Sequence, residues 1–172
     1  MEINTNIKKL ALAGTLIALG VALSPFSIPV GAAKCFPIQH VINIIAGVIL
    51  GPLYAVSMGF VTALIRNIIG TGSLLAFPGS MCGALAAGLA AKYLFRNKVR
   101  ILPACIAELI GTGVIGAIAA YPIATSLMGR DVALYTYIVP FAVSSAGGAV
   151  IAMVLLTALV KTKVVSLNTS KG

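Results

Sequence analysis

The chain reads as a series of long apolar stretches divided by short breaks rich in glycine, proline or charge. Stretches of this length with so few charges predict membrane helices rather than the core helices of a soluble fold. The pattern places six of them, over residues 9–24, 38–50, 52–69, 74–95, 101–120 and 138–160. The first follows Lys8 and Lys9 and stops at Ser24-Pro25 and Pro29, because proline cannot continue the backbone ladder. Gly31-Ala32-Ala33 comes next, so a cleaved signal peptide is an alternative reading of this segment. The apolar character of everything downstream favours a retained helix, as does the four-residue spacing of Gly14, Ala18 and Ala22.

Residues 24–37 are then a long connection, residues 70–78 a loop or broken helix, residues 96–100 a basic loop, and residues 121–137 a loop carrying Arg130-Asp131. Gly51-Pro52 separates the second and third helices, with proline at a first helical position. At about 1.5 Å per residue the second helix reaches only about 20 Å. That is short of the ~30 Å hydrocarbon core and predicts a short, tilted or re-entrant element.

Composition agrees with the pattern. Of 172 residues, 60% are hydrophobic and 9% charged, and the mean hydropathy is +1.11. Soluble domains carry roughly 25% charged residues, so a water-soluble globule of this size would lack the side chains to cover its surface. The expectation is an all-α membrane protein of six helices, one integral membrane domain over residues 1–172, with no room for a built-in ATPase or catalytic head.

The net charge of +9 would suggest nucleic acid in a soluble protein, but its placement argues otherwise. Lys8, Lys9, Lys92, Arg96, Lys98, Arg100, Lys161, Lys163 and Lys171 cluster at alternate ends of the helices, leaving only Lys34, Arg66 and Arg130 elsewhere. This is the distribution of a multi-pass cell-membrane protein with both termini cytoplasmic. Cys35, Cys82 and Cys105 form no CxxC and have no close histidine pair, so neither a disulfide framework nor a metal site is indicated.

The motif scan is mostly negative. Gly111-Thr112-Gly113-Val114-Ile115-Gly116 spells GxGxxG, but that fingerprint needs a preceding strand, and here it lies inside an apolar helix where packing is the simpler reading. The stripes Gly47/Gly51/Ala55/Gly59/Ala63 and Gly79/Gly83/Ala87/Ala91 also read as close helix packing. With no GxxxxGK[ST], HExxH or GxSxG present, the chain is expected to be no enzyme.

Polar groups at membrane depth are more informative, because an ionisable residue there is a functional-site hypothesis by default. Glu108 is one, with a structural partnership to Arg66 or Lys34 as its alternative. His40 shares a helix face with Asn43, beside Gln39. Topology brings Lys34 and Phe36, then Arg66, Asn67, Ser73 and Phe77, then Tyr121, Tyr135 and Tyr137 to the same outer side. The candidate substrate-binding set is therefore Lys34, Phe36, Gln39, His40, Asn43, Arg66, Asn67, Phe77, Glu108, Tyr121 and Tyr135. Aromatic rings mixed with amides and basic groups suit a small planar heterocycle with polar edges.

Two stretches carry a family resemblance. Val48-Ile49-Leu50-Gly51-Pro52-Leu53-Tyr54-Ala55, running on through Gly59 to Arg66-Asn67, resembles the segment shared by substrate-binding S components of energy-coupling factor (ECF) transporters. Pro29-Val30-Gly31-Ala32-Ala33-Lys34-Cys35-Phe36-Pro37-Ile38-Gln39-His40, together with Arg66-Asn67-Ile68-Ile69-Gly70-Thr71-Gly72-Ser73-Leu74-Leu75-Ala76-Phe77-Pro78-Gly79-Ser80-Met81, is similar to the ThiW group, assigned to the thiazole precursor of thiamine. The first identifies only the superfamily; the second pair is more specific.

The resemblance implies extracellular capture of a vitamin precursor, with hydroxyethylthiazole as the expected ligand. It also implies partners, namely a membrane coupling subunit and two ATPase subunits that use ATP, while this chain itself binds no cofactor and no nucleic acid. An AxxxA motif on the first helix faces the coupling subunit in that family, and Ala18 and Ala22 match it, with Gly14 extending the stripe. The alternatives are an S component for another small vitamin, a self-sufficient secondary carrier in which Glu108 binds a coupling ion, and a membrane-embedded enzyme, for which no catalytic constellation is present.

Overall fold

The computed structural model describes residues 5–30, 33–94 and 100–163. Gly31 and Ala32 of the resemblance motif, the basic residues Arg96 and Lys98, and Lys171 lie outside the described residues. Within them the chain forms six helices and one small hairpin. Helix α1 is Thr5–Ala22, α2 Pro37–Ile49 and α3 Pro52–Ile68. Helix α4 is Ala76–Leu89, prolonged by a wider π-type turn over Ala90–Leu94. Helix α5 is the rod Ile101–Leu127, and α6 is Ile138–Lys161. Strands β1 (Ile28–Val30) and β2 (Ala33–Cys35) pair antiparallel inside the α1–α2 connection.

Two boundaries show why the sequence breaks where it does. Gly51 adopts φ +95°, a left-handed conformation that suits glycine, and Pro52 follows at the start of α3. Helix α3 ends in a similar way: Gly70 has φ +77°, and Thr71 and Gly72 return their N–H groups to the Arg66 carbonyl at 2.9 and 2.8 Å.

The expected end of the fifth helix at residue 120 is too early, since the rod continues to Leu127 and shortens the connection to residues 128–137. Pro122 lies inside it. Proline has no N–H to give and crowds the preceding turn, so the ladder is rearranged there, and the turn Ile123–Leu127 is wound wider. A second π-type segment, Gly111–Gly116, covers the GxGxxG stretch.

Helices α2 and α4 form the centre, with α2 packed on α3, α4 and α6, and α4 packed on α2, α3 and α5. Helix α1 touches only α2 and α3 to any extent and is peripheral. Val41, Ile44, Val48, Ala87, Ala104, Ala152 and Leu156 knit α2, α4, α5 and α6 together, and Ala13, Leu16, Ile42, Met58 and Ala84 join α1 to α2, α3 and α4.

The small-residue stripes are the contact surfaces of this core. A side chain at Gly47 would meet the Gly88 backbone nitrogen at 2.8 Å, and one at Gly88 would collide with Pro52. Within GxGxxG, Gly111 and Gly116 face α4 and Gly113 faces Ala142 on α6, so these glycines serve packing. The stripe on α1 behaves differently: Gly14, Ala18 and Ala22 are exposed, and nothing lies within 4 Å of where a Gly14 side chain would begin.

The outer surface is apolar. Leu10, Leu53, Val139, Val150 and Val154 are each at least 65% exposed, whereas Gln39, Asn43, Arg66, Glu108 and Ser145 are buried. Water would penalise such an exterior. Helices α5 and α6 are long and apolar enough to cross a membrane, and α2 and α3 are shorter apolar helices.

Gly88→Ala should therefore overpack the α2–α3–α4 junction and cost about 1–3 kcal/mol, seen as a lower thermal midpoint of the detergent-solubilised protein. Gly14→Ala, in open space, should leave the midpoint unchanged or raise it through helix propensity.

Candidate functional site

A cavity of about 390 Å³ opens at one end of the bundle. Its lining comes from the hairpin (Pro29, Lys34, then Phe36), the start of α2 (Gln39, His40), the end of α3 (Arg66), the α3–α4 connection (Thr71, Gly72, Ser73, Leu75), the start of α4 (Ala76, Gly79, Ser80), and Thr112, Arg130, Phe141 and Ser144.

Its floor is a continuous hydrogen-bonded network. His40 Nδ1 lies 2.7 Å from Glu108 Oε1. Thr112 Oγ1, one turn along α5, lies 2.9 Å from the same oxygen and 3.0 Å from the Gly79 carbonyl. Ser145 Oγ donates to the other carboxylate oxygen of Glu108. With Nδ1 of His40 engaged by Glu108, Nε2 is the nitrogen left for a ligand.

Beside this lies an amide network. Gln39 Nε2 reaches Asn43 Oδ1 and Ser80 Oγ, each at 3.3 Å, and Asn43 Nδ2 donates to the Ser80 carbonyl at 3.2 Å. Gln39 Oε1 accepts from Arg66 Nη1 at 3.1 Å. The Arg66 guanidinium stacks 3.8 Å over the Phe36 ring.

The hairpin is fixed over the cavity by α6. Cys35 Sγ donates to the Pro140 carbonyl at 3.0 Å, and Phe36 N–H donates to Ser144 Oγ at 2.7 Å. Burial pushes the Cys35 thiol above its ordinary pKa, with hydrogen bonds to Ser144 pulling the other way, so it stays a neutral donor. At the rim, Ser24 and Thr71 hydroxyls lie 2.7 Å apart, and Arg130 Nη1 sits 3.5 Å from the Tyr137 hydroxyl.

Of the residues expected to bind substrate, Lys34, Phe36, Gln39, His40 and Arg66 line the cavity. Asn43 and Glu108 stand behind it as supports for Gln39, Ser80 and His40. The expected alternative role for Glu108, as a partner of Arg66 or Lys34, does not describe the contacts seen: its recorded ion pair is with His40.

Four expected residues lie elsewhere. The Asn67 amide is committed to the carbonyls of Ala63 and Ser73 at 2.8 and 3.0 Å, bracing the loop. Phe77 packs against Phe60, with ring centroids 5.5 Å apart. Tyr121 falls on the continued α5 rod, with its carbonyl accepting from Thr125. Tyr135 is 71% exposed. Sequence reasoning missed Ser80, Thr112, Phe141 and Ser144, whose only signal was a hydroxyl or a ring within an apolar run.

A family model described as thiamine-precursor transporter protein (ThiW) matches residues 10–162. The chain belongs to the ThiW family. No curated protein matches it. Membership makes this a transport protein for thiamine precursors, and the apolar exterior and the two long apolar helices of this ThiW chain agree with a membrane location.

Glu108→Leu should strand His40 and Ser145 without their acceptor. Breaking a buried pair in this way typically costs about 3–5 kcal/mol, read as a large drop in thermal midpoint in detergent. Tyr135→Ala, at an exposed site, should change stability by no more than about 0.5 kcal/mol.

Proposed function

We propose that this chain is the substrate-capture subunit of an ATP-driven ECF importer and takes up a thiazole-type thiamine precursor, hydroxyethylthiazole in the first instance, from the extracellular side. All six helices cross the membrane and both termini are cytoplasmic. The observation that carries the reading is the cavity itself: a polar, ring-lined chamber buried at one end of a lipid-compatible bundle, in a chain of a thiamine-precursor transporter family.

The direction of the chain supports the orientation. The cavity gathers the hairpin, the end of α3 and the starts of α4 and α6. Lys8, Lys9, Lys92, Arg100 and Lys161 belong to the opposite ends of the helices, where positive residues favour the cytoplasm.

A thiazole fits the chemistry. Its ring matches Phe36 and Phe141 in size and flatness, and its hydroxyl can donate to Nε2 of His40. The basic groups of the lining, Lys34, Arg66 and Arg130, supply donors for the ring nitrogen. The same lining is short of the several carboxylates that cation-coupled carriers use. Import therefore draws its energy from partner ATPases that hydrolyse ATP, with the coupling subunit seated on the exposed Gly14/Ala18/Ala22 face of α1. The exposure of that face, with nothing among the described residues within 4 Å of where a Gly14 side chain would begin, is what supports a docking role.

Titration calorimetry of the purified protein with hydroxyethylthiazole tests the ligand. His40→Ala should weaken binding roughly tenfold to a hundredfold, the effect of losing one hydrogen bond to a buried group, while Tyr135→Ala should leave it unchanged. Failure of the wild type to bind any thiazole refutes the ligand assignment. Docking is tested by Ala18→Leu with Ala22→Leu: cellular uptake should be lost while thiazole binding by the purified subunit persists. Loss of both, or of neither, refutes the docking role.

A further inference from the structure

The charge of Arg66 is only partly answered by its surroundings. The side chain is 2% exposed, its Nη1 donates to a neutral amide oxygen of Gln39, and one face of the guanidinium is covered by Phe36. Nε and Nη2 are buried and have no hydrogen-bond partner among the described residues. These two nitrogens share one edge of the planar group, the edge that presents two parallel N–H bonds and matches a pair of oxygens on a carboxylate or phosphate. A cation withdrawn from water without a counter-ion is unfavourable. Glu108, the buried acid nearby, is not that counter-ion, since its oxygens are taken by His40, Thr112 and Ser145.

The rest of the lining has the same sign. Lys34 and Arg130 are exposed and line the cavity, and among the described residues none that lines it is acidic. A confined opening with charge of one sign concentrates ligands of the other. The hydroxyl-bearing residues Thr71 and Ser73 line the cavity just beyond the end of the Arg66 helix.

We infer that the cavity takes the precursor in an anionic form: a small heterocycle bearing a phosphate ester or a carboxylate whose oxygens pair with the Nε–Nη2 edge of Arg66. Lys34 and Arg130 attract this group to the opening, and Gln39 and Phe36 hold the guanidinium plane in place to receive it. The inference rests on the cavity being the precursor site and makes the neutral alcohol the weaker ligand.

Calorimetry on the full chain in lipid nanodiscs, with four probes, tests this. The probes are hydroxyethylthiazole, its phosphate monoester, the thiazole with an acetate side chain in place of the hydroxyethyl, and inorganic phosphate. At least one anionic thiazole should bind roughly tenfold to a hundredfold more tightly than the alcohol, with a preference that shrinks as salt rises. The tighter of the two identifies the oxyanion. Arg66→Gln should abolish the preference.

If the alcohol binds as tightly as both anions, this inference is overturned and the precursor reading stands. If inorganic phosphate binds but no thiazole does, the precursor reading falls and the anion site stands. If nothing binds, both fall. Should Arg66→Gln fail to fold, Lys34→Gln and Arg130→Gln at the exposed rim should flatten the salt dependence of anion binding, and an unaltered salt dependence would count against the inference.

Discussion

A carboxylate with no exposure to solvent has to be satisfied by the chain around it, and the way Glu108 is satisfied fixes the relative placement of three helices. His40 comes from α2, Thr112 from α5 itself and Ser145 from α6. Thr112 also reaches the Gly79 carbonyl of α4, which adds a fourth. Each bond constrains the rotation of its helix about its own axis, because a turn of a few tens of degrees would carry the donor away. The cavity floor is the upper surface of this arrangement. Gln39, Ser80 and Asn43 extend it sideways to Arg66 on α3.

Such a cluster needs room, and glycines provide it. Gly83 faces Thr112 and Glu108, Gly59 faces Ser80 at 2.7 Å, and Gly148 faces the His40 side chain at 2.5 Å. In each case a methyl group would occupy the space of a polar side chain or of the residue carrying it. The small residues therefore do more than bring apolar helices close; they seat the polar network. In lipid, where apolar burial adds little to helix association, this pairing of polar groups with opposing glycines supplies both contact and specificity.

The parts of the sequence that were legible were those with a local cause. Gly51-Pro52 separates α2 from α3 by backbone chemistry alone, and His40 and Asn43 were expected on one face from their spacing. Family membership was legible in the residues around 29–40 and 66–81. What stayed hidden was set by distant partners. A single hydroxyl such as Ser80, Thr112 or Ser144 in an apolar helix can always bond to its own preceding turn, and nothing local says that it will reach another helix instead. The placement of Tyr121 failed for a different reason. Residues 121–137 read as a loop, but widened winding after Pro122 lets the rod continue to Leu127, and Tyr121 stays on the rod and does not line the cavity. Asn67 looked like a ligand contact because a polar side chain at a helix end can equally brace the turn that follows, as it does here.

The tethering of the hairpin to α6 bears on the order in which the protein is made. Cys35 and Phe36 are held by Pro140 and Ser144, partners more than a hundred residues later in the chain. Synthesis runs from the N-terminus, so α1 to α5 and most of the polar floor exist before these anchors do. Until α6 is in place the hairpin lacks these two anchors, Glu108 lacks Ser145, and His40 lacks the glycine surface it packs on. Contacts of such sequence separation form late and slowly. The chamber is thus completed by α6, the last of these six helices to be made, and a chain cut short before α6 would keep much of its helical packing without gaining a site that can close.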